Sequence, residues 1–167
     1  MLHSELYAIA DCTLYRPCQV QRSRVGIVML DRILVTPLKR ITTAGGDVLH
    51  AMRRDDQGYA GFGEAYFSII EKGVVKAWKC HARMTLNLIV SVGTIRFIFH
   101  VPHAEPAFRE EVIGEQRYAR LTVPPGIWFG FQGLAAPHSL VLNLASIPHD
   151  PGETFRKALH DISFDWT

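Results

Sequence analysis

The chain reads as an all-β barrel or sandwich, and three features say so. From Ile33 onward, short runs rich in Val, Ile, Thr and aromatic residues are separated by Gly, Pro and Asp. Many short strands at close spacing point to a closed or double-layered antiparallel architecture. A length of 167 residues with 48% hydrophobic residues suits one domain that buries its own core.

Taken in order, residues 1–30 show no sustained periodicity and read as an N-terminal arm ahead of a β-barrel domain over 31–167. Within the arm, Met29 opens MLDRILVTPLKRI, which also reads as an alternative start. Strands are expected near 33–36, 39–43, 47–52, 63–70, 74–81, 86–92, 94–101, 111–114, 118–123, 127–132 and 139–146. The run LNLIVSVGTIRFIFH looks like a hairpin turning at Gly93, with Arg96 on its polar face. Between Pro102 and Glu110 the residues are turn-like, and the tail, 153–161, is the one helical candidate. There is no internal repeat and no low-complexity segment.

The bulk chemistry excludes several classes. A formal charge of +2, without any Lys/Arg run, gives nucleic-acid binding no electrostatic support. Cys12, Cys18 and Cys80 form no CxxC pair, and an odd count suits a reducing compartment. The most apolar stretch, Leu86 to Val101, is interrupted by Asn87, Arg96 and His100 and is too short to span a bilayer. With Glu5 and Asp11 in the first residues no secretory signal is expected, so the protein is expected to be cytoplasmic.

Two segments carry chemical information: GVVKAWKCHARMTLNLIVSVG, residues 73–93, and TVPPGIWFGF, residues 122–131. Their order and spacing resemble the two signatures of the cupin superfamily, which implies a double-stranded β-helix (jelly-roll) barrel with a short helical C-terminal segment. Gly73, Gly93, Pro124 and Gly126 match the pattern. The metal-ligand positions mostly do not: they hold Lys79, His81, Leu86 and Phe129. A transition metal needs three or four N, O or S donors, and one imidazole facing a leucine and a phenylalanine does not supply them. No metal and no other cofactor is expected.

Regular alternation along 74–81 puts Val75, Ala77, Lys79 and His81 on one face, and Val74, Lys76, Trp78 and Cys80 on the other. Lys79 and His81 then project into one space, with Arg83 continuing the same parity. The bland alternative is a strand end meeting solvent, where Lys and His are ordinary.

Within the cupins the chain is similar to the dTDP-4-dehydrorhamnose 3,5-epimerases and their sugar-nucleotide-modifying relatives over roughly residues 33–166. The likeness rests on GFGEAYFS (61–68), VVKAWKCH, SVGTIRF, PPGIWFGF and VLNLASIPHDPGE, which follow the family's order of motifs. The resemblance implies proton transfer beside a ketone: a histidine removes the C3 or C5 proton of a nucleotide-linked 4-keto-6-deoxyhexose, a cation steadies the enolate, and a tyrosine returns a proton. It implies a nucleotide-sugar substrate, a homodimer and a place in surface-polysaccharide biosynthesis. The family's base histidine falls on Lys79, with His81 two residues on, and its arginine on Lys76. Its tyrosine falls at Pro148 or His149, where no Tyr lies nearby, and the acid behind the histidine has Asp161 and Asp165 as candidates.

An exposed lysine, with a pKa of about 10.4, is a poor base; burial and like charges lower that value. Lys79 as base, or Lys79 as the enolate's cation with His81 as base, are both open, and the second needs no large shift. His149 is a possible proton donor or a solvated turn histidine. Glu64, Tyr66, Lys76, Arg83, Asn87 and Asn143 are candidate substrate contacts, the two amides equally well members of a structural network. Trp78 and Trp128 offer a stacking surface or core packing. Two alternatives accompany the epimerase reading: a 3,4-ketoisomerase using the same pocket, and a non-catalytic cupin that binds a sugar nucleotide.

Overall fold

The computed structural model describes residues 28–102 and 107–167; the N-terminal arm up to residue 27, with Cys12 and Cys18, lies outside them. Twelve strands follow in chain order: β1 (Leu34–Pro37), β2 (Arg40–Thr43), β3 (Gly46–Leu49), β4 (Glu64–Glu71), β5 (Val75–His81) and β6 (Leu86–Val92). Then come β7 (Thr94–Val101), β8 (Ala107–Gly114), β9 (Ala119–Val123), β10 (Trp128–Gly133), β11 (His138–Ala145) and β12 (Thr154–Arg156). Two five-stranded antiparallel sheets face each other, in the orders β1-β9-β6-β11-β4 and β12-β5-β10-β7-β8, and β2-β3 forms a separate hairpin. This is the jelly-roll barrel that the sequence predicts.

Alternation explains the core. Ile95, Phe97, Phe99 and Val101 of β7 point inward against Leu86, Leu88 and Val90 of β6 and Leu121 and Val123 of β9. The opposite face of the second sheet is also covered. Trp78, Ile98 and Ile162 pack there with Phe164 and Trp166 of the tail. A sheet buried on both faces needs apolar residues at both parities, which is why TIRFIFHV is almost continuously hydrophobic.

Three expectations are corrected. The run through Gly93 is not a hairpin, because β6 pairs with β9 and β11 while β7 pairs with β8 and β10. The chain crosses from one sheet to the other at Gly93, whose φ of +74° suits glycine. Ser139 braces the corner by accepting from the Thr94 N–H and donating to the Thr94 carbonyl. The segment ahead of Glu110 is strand from Ala107 onward, held by pairing with β7; residues 103–106 of the turn-like stretch lie outside the described residues. The tail forms β12 between two 3-10 turns, Pro151–Glu153 and Leu159–Asp161, in place of a helix over 153–161. Its strand satisfies the otherwise open edge of β5.

The alternation assumed for β5 also fails in its middle. Phe129 pairs with Lys79 and Phe131 pairs with Lys76, so one residue of β10, Gly130, opposes two of β5, Ala77 and Trp78. Such a bulge shifts side-chain parity by one residue. Lys76 is thereby brought to the same face as Lys79, while Trp78 turns to the outer aromatic cluster. A Cβ on Gly130 would lie 2.5 Å from the Ala77 Cβ. Gly130→Ala is therefore expected to destabilise the fold by about 1–3 kcal/mol through overpacking at the bulge, measured as a lowered urea midpoint with an unchanged m-value.

Candidate active site

The barrel opens between the β4 edge of one sheet and the β5-β12 edge of the other. Inside lies a small cavity of about 50 Å³, walled by Tyr66, Lys79, His81, Leu86, Phe129 and Asn143 among others. All four cupin ligand positions converge on it, three of them as Lys79, Leu86 and Phe129. The residues therefore do not fit a metal, and among the described residues no group of three or more His, Cys, Asp or Glu side chains could hold one. The cavity continues outward into a chamber of about 350 Å³; Ser68, Lys79, Phe129 and Phe131 line both.

His81 is the most constrained polar group of the wall. Its Nδ1 is hydrogen-bonded to Glu153 Oε1 in a buried pair. Glu153 also accepts from the backbone N–H groups of Arg83, at 3.1 Å, and Met84, at 3.2 Å. Burial pushes the Glu153 carboxyl up, but the His81 ring and the two N–H donors outweigh it and hold the group below its usual range. An ionised carboxylate can only accept, so the hydrogen of this bond sits on His81 Nδ1. The second signature contributes here too: the Gly126 N–H of the Pro-Pro-Gly turn donates to the His81 carbonyl at 2.8 Å. The acid behind the histidine is thus Glu153. Asp161 instead accepts from the Ala158 N–H and Asp165 from Thr167.

Lys79 is half-buried and makes no hydrogen bond or ion pair among the described residues. Burial first, then repulsion from Arg156 and Lys76, lowers its pKa. Across the cavity, Asn143 Nδ2 donates to the Tyr66 hydroxyl at 2.7 Å, and Asn143 Oδ1 is buried without a partner among the described residues.

The structure thus gathers Lys79, His81, Tyr66 and Asn143 around the inner cavity and Lys76 on the outer chamber. Glu64, Arg83, Asn87 and His149 line neither. Arg83 donates to Asp150 at 2.7 Å on the surface, and His149 is exposed. Asn87 faces the outside of its sheet, donating to the Gly58 carbonyl and accepting from Thr122 Oγ1. With buried Arg120, which donates to Ala51, Asp56 and Gln57, it ties the 51–58 loop to the barrel. Trp78 is core, its Nε1 donating to the Leu159 carbonyl, and Trp128 lies under Lys157 Nζ at 4.8 Å. Glu153, Arg156 and Lys157 escape the sequence reading; the only sign of them is their position just after the Pro-His-Asp-Pro turn.

A histidine–carboxylate pair and a lysine thus stand where cupin barrels often carry metal ligands. Comparison with solved structures places the fold. The crystal structure of a dTDP sugar isomerase from Desulfovibrio desulfuricans G20 matches with a TM-score of 0.77 and 33% identity, covering 81% of this chain and 91% of that one. The chain belongs to the family of this dTDP sugar isomerase. Two more distant structures share the fold. The dTDP-4-dehydrorhamnose 3,5-epimerase from Sulfolobus tokodaii has a TM-score of 0.68 and 19% identity over 79% of this chain and 80% of that one. The 3,4-ketoisomerase QdtA from Thermoanaerobacterium thermosaccharolyticum has a TM-score of 0.64 and 18% identity over 77% and 90%. No protein-family model and no curated protein matches the chain.

Because the Glu153 pKa is lower folded than unfolded, its contribution to stability is present above the unfolded value, about 4.3, and is lost as pH falls through the folded one. Urea unfolding at pH 7 and at pH 3.5 should show a larger loss for the wild type than for Glu153→Gln.

Proposed function

We propose that the protein is a metal-independent epimerase of a nucleotide-linked 4-keto-6-deoxyhexose. The observation that carries this is the Glu153–His81 pair opening on the same cavity as Lys79. His81 Nε2 takes the proton from the carbon next to the ketone, C3 or C5, and the imidazolium formed is stabilised by Glu153. The electron pair moves onto the C4 oxygen, and the Lys79 ammonium stabilises that enolate by a charge-assisted hydrogen bond. A lowered pKa makes this ammonium a better proton donor to the oxyanion. Tyr66, on the opposite wall, returns a proton to the other face of the carbon, and Asn143 positions its hydroxyl. The inner cavity holds only the reacting edge of the ring, so the hexose straddles the junction with the outer chamber.

The setting that accompanies this reading is cytoplasmic deoxysugar synthesis for surface polysaccharides, by a homodimer. No helix among the described residues is long and apolar enough to cross a membrane. The dimer reading is supported by the β2-β3 hairpin, which pairs with no other strand among the described residues and exposes Ile41 and Val48, and by Phe67 and Ile69 exposed on the edge strand β4. Light scattering at micromolar protein should give twice the chain mass, and a monomer would count against it.

Incubation with 4-keto sugar nucleotides in heavy water, read by NMR, tests the reaction. The wild type should incorporate deuterium at C3 or C5. Lys79→Met and His81→Ala should each slow this by on the order of 10²–10³ while retaining the fold, and Tyr66→Phe should slow inversion more than exchange. Arg54→Met, at an exposed loop position, is the control; Lys76 cannot serve, since the bulge turns it to the same face as Lys79. A relocated carbonyl would indicate a 3,4-ketoisomerase, and binding without exchange a non-catalytic receptor.

A further inference from the structure

The tail does more than cover the outer face of its sheet. At the bulge, Gly130 of β10 faces Ala77 and Trp78 of β5. A Cβ at position 130 would meet the Ala77 Cβ at 2.5 Å and the far edge of the Trp166 indole at 3.1 and 3.2 Å. The Ala77 methyl and the indole therefore share the space that the glycine leaves open. The same indole lies 5.3 Å from the Trp78 ring, centroid to centroid, so it rests on both strands of the bulge. Its Nε1 is buried with no partner among the described residues, which leaves packing to hold the ring in place.

The strand that this ring grips carries the polar wall of the site. Lys76 comes one residue before Ala77 and Lys79 two residues after it. Phe129 and Phe131, on either side of Gly130, pair with Lys79 and Lys76. A bulge is a joint where register can slip, and a slip of one residue turns a side chain to the other face. We infer that Trp166 is a positioning residue: it braces the β5 bulge from outside the barrel and so fixes Lys76 and Lys79 at the site. Its bearing on catalysis rests on the function proposed above, whereas its hold on the two lysines does not. A misplacement of about 1 Å, caused far from the chemistry, can cost on the order of 10² in rate, so a ring that touches no substrate still sets the activity.

Lys79 itself reports on the brace. It shares its cavities with Lys76 and His81 of β5, Arg156 and Lys157 of the tail, and Tyr66 of β4. Burial, then repulsion from Arg156 and Lys76, holds its pKa down, so a loosened bulge raises it toward the ordinary lysine value. The test is an NMR titration of Lys79 Nζ in the isotope-labelled full chain, with Lys79→Arg to assign the signal. Trp166→Ala should titrate at higher pH than the wild type while still unfolding cooperatively in urea. With a 4-keto sugar nucleotide as substrate, its kcat should fall at least about tenfold and its KM change much less. Phe164→Leu controls for lost packing: Phe164 meets Trp78 edge-on, while the ring nearest Gly130 is that of Trp166. It should lower the urea midpoint and leave the Lys79 titration where it was. Should Trp166→Ala not fold, Trp166→Phe, whose smaller ring reaches less far over Gly130, gives the same test with a smaller shift. An unmoved Lys79 titration in the folded variant overturns the inference, and so does an equal shift in Phe164→Leu. If Lys79 shifts as expected and the wild type exchanges no sugar nucleotide, the brace stands and the proposed reaction falls.

Discussion

Three residues of pairing between β12 and β5 hold the site together. Without them the β5 edge would present unpaired N–H and C=O groups to solvent, and the tail would have no fixed path. With them, the residue just before β12 is Glu153, carried behind His81, and the last residue of β12 is Arg156, set beside Lys79. One short ladder thus supplies the carboxylate bonded to His81 and a charge at the mouth. The tail beyond it lays Phe164 and Trp166 over Trp78, covering the outside of the same strand.

The second constraint is the bulge opposite Gly130. A regular strand would send Lys76 outward and leave the chamber without one of its cations. The extra residue turns Lys76 in and Trp78 out, so a single local irregularity serves both the polar wall and the apolar cover. The same economy shows in the Pro-Pro-Gly turn, where Gly126 fixes the His81 carbonyl while Phe129, a few residues on, stands at a cupin ligand position.

Much of the barrel was legible because strand parity and Gly/Pro punctuation are local signals. The inner wall was half legible for the same reason: Lys79 and His81 sit inside a motif with fixed spacing. Glu153 was not, since it lies 72 residues from His81 in a turn whose residue types also suit plain solvent exposure. The bulge was hidden because its cause, a close approach between Gly130 and Ala77, involves two strands far apart in sequence. Gly93 misled for a related reason. A glycine between two alternating runs looks the same whether the strands pair side by side or face each other across a core. Asn87 and Asn143 show the limit of composition: both are buried amides in apolar strands, yet one ties down a loop and the other holds Tyr66.

The arch at Gly93 also bears on how the chain acquires its structure. Strands adjacent in sequence are parted into opposite sheets there, so each must wait for partners made later. β1 pairs with β9, β4 with β11, and β5 with β10 and β12. A nascent chain ending before β9 therefore holds most of its apolar strands with open edges, and loop closure over long separations precedes any reward from pairing. Such a chain folds late and as a whole, and its emerging strands are the segments most exposed to mispairing during synthesis.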